Sequence, residues 1–218
     1  LFRSIKSYKD YINKLLSQVE IIEGPRTTKD TFRILKTMFE KHGRYEKISQ
    51  YKEVYIPNNS NLIFNIIIDH GNLTKYSFDE GNKKAAIDKQ CEQMQGFRDK
   101  ESAHIVWVAQ VNRDLSNPIY QKMDTAELSL DNVKASSDVG DACDVAVSLF
   151  DPLKYGQGSK TGYDPQDFVN EYDGSKHFRS AMICKSSYGA DDVRIPMAFQ
   201  GFSGNFAEIP RHKDITQE

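Results

Sequence analysis

The chain has 218 residues, 39% of them hydrophobic, and its 29 basic and 31 acidic side chains leave a formal net charge of −2. A chain of that size buries a substantial core and most naturally makes a single domain over residues 1–218. Charge this close to balance excludes a global attraction to nucleic acid or anionic membrane. No apolar run reaches the roughly 18–20 residues of a membrane span, and the N-terminus lacks signal-peptide architecture, so a soluble, cytoplasmic protein is expected.

The sequence opens on Leu1, not Met, and runs directly into a helix-like segment, Tyr8 to Leu16, which is the pattern expected of a fragment. Val19-Glu20-Ile21-Ile22 reads as a short strand, then a Gly24-Pro25 turn leads to Thr27 or Thr28 as a helix cap. Phe32, Leu35, Met38 and Phe39 recur at helical spacing, and Gly43 falls where a helix C-terminus favours a left-handed residue. After the polar turn Pro57-Asn58-Asn59-Ser60 comes the run Asn65-Ile66-Ile67-Ile68-Asp69-His70. Consecutive apolar residues suit a strand covered on both faces, and the acid that closes it sits where open α/β sheets bind ligands, at the carboxyl end. Lys83 to Ser102 is amphipathic, with Ile87, Cys91, Met94 and Phe97 on one stripe. His104 to Gln110 is a second buried strand closed by a polar group. Strand, helix, strand with short links predicts neighbouring parallel strands, which brings Asp69 and Gln110 to one sheet edge. Asp144 to Phe150 gives a third apolar run, and Asp151 to Gly174 a Gly-, Asp- and Tyr-rich surface excursion. Phe178–Lys185, Arg194–Phe199 and Phe206–Ile209 read as short strands of an antiparallel edge. Cys91, Cys143 and Cys184 are far apart and odd in number, which argues against a disulfide framework or a zinc site.

Four elements occur in a fixed order: the Asp69 strand, the Gln110 strand followed by Val111-Asn112-Arg113, the loop from Asp131 to Asp144, and the terminal strand bearing Lys185 and Tyr188-Gly189. In that order they resemble the RecA-like motor domain of DnaB-type replicative helicases, and among those the helicases of tailed phages, from Val19 onward. The resemblance implies an α/β fold of RecA-like type: a mostly parallel sheet with helices on both faces and an antiparallel C-terminal edge. It implies that the Asp69 carboxylate, in the Walker B position, serves Mg²⁺ bridging the phosphates of ATP, and that Gln110 senses the γ-phosphate. Lys185 matches a cation that reaches into the neighbouring subunit's nucleotide. Ser187 stands where that family has arginine, which leaves Arg194 or Arg179 as substitutes or a subunit that hydrolyses slowly. Lys134, Ser136 and Ser137 fall in the loop that such rings present to single-stranded DNA, where small residues let backbone amides approach a phosphate and one cation adds sequence-independent attraction.

Nothing in the sequence fits Gly-x-x-x-x-Gly-Lys-Ser/Thr, and the family's catalytic glutamate is absent near Asp69. The expectation is the C-terminal portion of a motor domain, with the phosphate-loop portion missing and no hydrolysis by this chain alone. Its implied setting is a homohexameric ring that unwinds duplex DNA in the cytoplasm of a bacterial host, with a primase or helicase loader as further partner. A non-catalytic RecA-like interaction subunit is the alternative. A recombinase on the same core and a metal hydrolase built on Asp69-His70 are weaker rivals, since His42, His104, His177 and His212 fall at no ligand spacing.

Overall fold

The computed structural model describes residues 2–111, 127–132 and 138–215. Helix α1 (Phe2–Leu16) leads into an extended segment over 19–22 that forms no strand, with Ile21 and Ile22 exposed. The predicted strand does not form there: among the described residues the segment joins no sheet, and its apolar side chains stay exposed. Helix α2 (Thr28–His42) is capped by Thr27, whose hydroxyl accepts from the Asp30 amide at 3.2 Å. Gly43 is not left-handed. Its φ of −173° is extended backbone that begins a strand, and glycine is needed because a Cβ would collide with the Tyr55 ring. Strands β1 (Gly43–Ser49) and β2 (Lys52–Pro57) form an antiparallel hairpin that the sequence did not announce.

Strand β3 (Asn65–Asp69) pairs in parallel with β4 (His104–Val108), from Asn65 opposite His104 to Asp69 opposite Val108. Helix α3 (Lys83–Glu101) connects them. Asn82 caps it by accepting from the Ala85 amide at 2.9 Å, and Ser102 ends it in the left-handed region. The predicted stripe of α3 is buried as expected: Ile87, Cys91, Met94 and Phe97 all face the interior. Leu35 and Phe39 of α2, Tyr55 of the hairpin, Ile66 of β3, and Met94 and Phe97 of α3 form one core. Phe39 sits at its centre, fully buried, with ring centroids of Phe64, Phe97 and Tyr55 at 4.6, 5.2 and 5.6 Å. Burying a phenylalanine side chain stabilises by roughly 1.5–3 kcal/mol, and each aromatic pair by about 0.5–1.5 kcal/mol more.

The five-residue helix α4 (Asp138–Ala142) precedes β5 (Val145–Phe150), which pairs antiparallel with β6 (Phe178–Ser186). Strands β7 (Val193–Gln200) and β8 (Asn205–Glu208) continue that sheet, and the short helix α5 (His212–Ile215) follows. The excursion over 151–174 holds two 3-10 turns, Pro152–Tyr155 and Pro165–Phe168, capped by Asp151 and Asp164. A mostly parallel sheet is therefore not what these residues form. Among the described residues the parallel pairing is confined to β3 and β4, apart from an isolated bridge of Thr27 with Lys75, and the larger sheet is antiparallel in the order β5-β6-β7-β8. Helices on both faces were also expected. Helices α2 and α3 pack on one face of the parallel pair, while Ile67, Val106 and Val108 on the other are exposed.

Candidate functional site

The carboxyl ends of β3 and β4 form one rim. Asp69, the last residue of β3, lies opposite Val108, and Gln110 follows two residues beyond, so the acid and the amide leave the sheet on the same side. The Asp69 side chain is 72% exposed, and its Oδ1 is 3.8 Å from His70 Nδ1. A carboxylate so placed is open to a cation or ligand. Among the described residues no group of three or more His, Cys, Asp or Glu side chains could hold a metal, the Asp69-His70 pair included.

The chain leaves Asp69 through a tight 3-10 turn, Gly71–Leu73, that fastens the rim from below. Gly71 lies so close to the Trp107 indole that a Cβ would collide with it. Asn72 is buried, and its Oδ1 accepts from the Gln110 amide at 3.2 Å, tying the loop after β3 to the segment after β4. Thr74, also buried, donates from its hydroxyl to the Gly71 carbonyl at 2.8 Å and contacts the side-chain oxygen of Gln90, a buried residue of α3. Further on, Ser77 and Glu80 make a reciprocal cap. Burial would push the Glu80 carboxyl up, but hydrogen bonds from Thr28 and Ser77 and the Lys89 ammonium at 3.7 Å outweigh it and hold the pKa below the ordinary value. A buried anion thus pins this loop to the start of α2 through Thr28. Gly71, Asn72 and Thr74 went unnoticed in the sequence, where Gly-Asn-Leu-Thr reads as an ordinary turn. The one available signal was a glycine two residues after a strand-ending acid.

The other expected residues lie elsewhere. Lys185, on β6 opposite Ala146, donates from Nζ to the Gly140 and Asp141 carbonyls at 2.9 and 3.0 Å, satisfying the end of α4. No hydrogen bond or ion pair joins it to Asp69 or Gln110 among the described residues. Arg194, on β7, grips Glu127 through Nε at 2.8 and 2.9 Å and Asp192 through Nη2 at 3.1 Å, and those hydrogen bonds raise its pKa. Arg179 is held by Asp151 at 3.1 Å and lies over the Phe199 ring. Lys134, Ser136 and Ser137 lie outside the described residues.

No protein-family model and no curated protein matches the sequence. Among solved structures, the fold is similar to that of a DnaB-like replicative helicase, from a structure that describes the helicase and its interactions with primase. The match has a TM-score of 0.60 and 13% identity over 87% of this chain. The likeness is one of fold. It extends over 37% of the helicase chain, so this sequence spans well under half of that relative's length. No helix among the described residues is long and apolar enough to cross a membrane.

Proposed function

We propose that the chain is the later portion of a RecA-like ATPase core in a phage-type, DnaB-like replicative helicase. When complete, that core binds ATP and Mg²⁺ at the rim of β3 and β4, and as a hexameric ring it translocates on single-stranded DNA. The observation that carries this reading is the shared rim of Asp69 and Gln110, joined by the Asn72–Gln110 hydrogen bond, in a chain whose fold resembles such a helicase. Asp69 would hold the metal, and Gln110 would contact the terminal phosphate. Because the Gln110 backbone hangs from Asn72, loss of a phosphate contact at one loop would shift the other. Lys185 would act in trans, Lys134, Ser136 and Ser137 would meet the DNA backbone, and a primase or helicase loader would dock on the ring.

The test is ATP turnover by the product of the complete gene, with and without single-stranded DNA. Asp69→Asn should lower turnover by about 100-fold or more, the order seen when one transition-state contact is removed, while circular dichroism stays unchanged. Wild-type turnover in that variant would end the assignment. Lys185→Ala should lower turnover per ring, and unchanged turnover would show Lys185 to be merely the cap of α4.

A second reading, a RecA-like interaction subunit without hydrolysis, draws support from a specific observation. Ser187 replaces the expected arginine, and both candidate substitutes are engaged within the chain, Arg194 by Glu127 and Arg179 by Asp151. Ring formation with no DNA-stimulated ATPase in the complete product would favour it.

A further inference from the structure

We propose that Ser175 is a nucleophile activated by His177, and that the pair takes an acyl group from a small ester and passes it to water. The two residues lie between the 151–174 excursion and β6, and the inference does not rest on the ATPase-core reading.

Residues 168–170 and 175–177 run alongside one another as two arms of a tight turn. Lys176 forms an isolated antiparallel bridge with Val169, flanked by hydrogen bonds from the Asn170 amide to the Ser175 carbonyl at 2.9 Å and from the His177 amide to the Phe168 carbonyl at 3.0 Å. In an extended segment, residues two apart project to the same face. Ser175 and His177 therefore emerge side by side, with Ser175 Oγ 2.8 Å from His177 Nε2. The turn that carries the serine is fastened as well. The Gly174 amide donates to the Asn170 carbonyl, the Tyr172 amide to Asn170 Oδ1 and the Ser175 amide to Asp173 Oδ1, each at 2.8 Å.

The far side of the ring decides which nitrogen carries the proton. His177 Nδ1 is 2.9 Å from the carbonyl of Phe199 on β7, and a carbonyl can only accept. A neutral imidazole has a single N–H, so that proton sits on Nδ1 and leaves the Nε2 lone pair aimed at the serine hydroxyl. The Phe199 amide donates back to the His177 carbonyl at 2.6 Å, which fixes the backbone that bears the ring. Asp173 is a rival acceptor for the hydroxyl proton, but bare Nε2 has no other donor among the described residues. Hydrogen bonds from Ser175 hold the Asp173 carboxyl below its ordinary value, and the charge of the His177 ring acts in the same direction. An anion thus stands near enough to favour the imidazolium that proton transfer creates.

The backbone supplies a donor for the charge that develops on the substrate. Because Ser175 and His177 make the bonds of the bridge, the Lys176 amide between them points away from residues 168–170, and it has no hydrogen bond among the described residues. An N–H directly after the nucleophile is one of the donors with which α/β-hydrolases hold an oxyanion. The step is acyl transfer. Ser175 Oγ bonds to the ester carbonyl carbon as its proton passes to Nε2, and the carbonyl oxygen becomes an anion beside the Lys176 amide. Collapse breaks the bond to the alcohol, which leaves with the proton from Nε2. Water then attacks the acyl-serine, giving a proton to Nε2, and the acid departs as that proton returns to Ser175 Oγ. Access is open, since Glu171, Tyr172, Asp173 and Gly174 are all exposed. The substrate is therefore a small ester with a reactive leaving group, with no selection for the length of the acyl chain.

Labelling with an alkyl fluorophosphonate, read by peptide mass spectrometry, tests the pair. Ser175 should be the labelled serine, and Ser175→Ala should leave the protein unlabelled. His177→Gln, with its fold checked by circular dichroism, should slow the labelling by at least about 100-fold, the lower end of what a general base contributes. A second measurement needs no variant: p-nitrophenyl acetate should place an acetyl group on Ser175 that clears once the ester is removed. No label, or label spread over other serines, overturns the proposal. So does labelling at an unchanged rate in folded His177→Gln, which would reduce the contact to a tie between the turn and β7. An acetyl group that never forms on Ser175, or that forms and stays, overturns it as well.

Discussion

Replacing Thr74 by valine isolates the polar fastening beneath the rim. The two side chains have nearly the same shape, so no cavity opens. What is lost is a hydroxyl proton that serves two acceptors, the Gly71 carbonyl at 2.8 Å and the Gln90 side-chain oxygen. Gln90 is 3% exposed, so water cannot take over. Leaving one desolvated amide unpaired costs about 1–3 kcal/mol, whereas an exposed hydrogen bond would cost far less. At about 2–4 °C per kcal/mol for a chain of this length, the melting temperature should fall by roughly 2–12 °C, with a matching drop in the urea midpoint at unchanged slope. Gln90→Leu alone should cost less, since the hydroxyl keeps Gly71. The double variant should be more stable than the sum of the single losses predicts, by an amount on the order of 1 kcal/mol. Additive losses, or a Thr74→Val protein as stable as wild type, would refute the idea that this pair holds the turn after Asp69.

Gly71→Ala forces a methyl into the indole of Trp107, the only tryptophan of the chain, and overpacking of that kind costs about 1–3 kcal/mol. Fluorescence should report it as a shifted emission maximum, and an unchanged spectrum with unchanged stability would contradict the close approach. Glu101 is buried beneath the hairpin, where burial raises its pKa although Tyr45 donates to it at 2.8 Å; its other oxygen is buried with no hydrogen-bond partner among the described residues. A raised folded pKa means full stability below the unfolded value of about 4.3, with loss as pH climbs through the folded value. Glu101→Gln should therefore gain on wild type as pH rises from 4 to 8, as read by melting temperatures, and a gap that narrows over that range would contradict the assignment.

Periodicity revealed the elements whose burial is one-sided and regular. The α3 stripe of Ile87, Cys91, Met94 and Phe97 announces a helix because the core demands that spacing, whereas the unbroken isoleucines of β3 announce a strand but wrongly suggest cover on both faces, since Ile67 is exposed. The hairpin escaped notice because its inward residues, Tyr45 and Tyr55, are separated by charges, its turn contains no glycine, and its register slips between Lys47 and Ser49. Val19 to Ile22 misled for the opposite reason: local composition favoured a strand, but strands need partners and those residues pair with no strand among the described residues. Neighbouring parallel strands were legible for β3 and β4, since a short helical crossover permits little else. The direction of β5 was not, because nothing within an apolar run specifies which neighbour it meets. The rim was readable from two strand-ending polar residues. The side chains that fasten it were not, since their importance lies in long-range contacts between Thr74 and Gln90 and between Asn72 and Gln110.

The hairpin also determines where this chain can be re-engineered. Its base belongs to the interior: Tyr55 donates to the Phe39 carbonyl at 3.0 Å, and Tyr45 lids Glu101. Its apex, around Gln50 and Tyr51, stands in solvent with Tyr51 92% exposed. A peptide epitope or fluorophore tag spliced between Gln50 and Tyr51 would lengthen the protrusion without disturbing either tyrosine, whereas trimming the stem would unroof Phe39. The protrusion is thus a natural handle for immobilising the protein, since its stem is anchored at Phe39 and Glu101 and not at the strand-end rim.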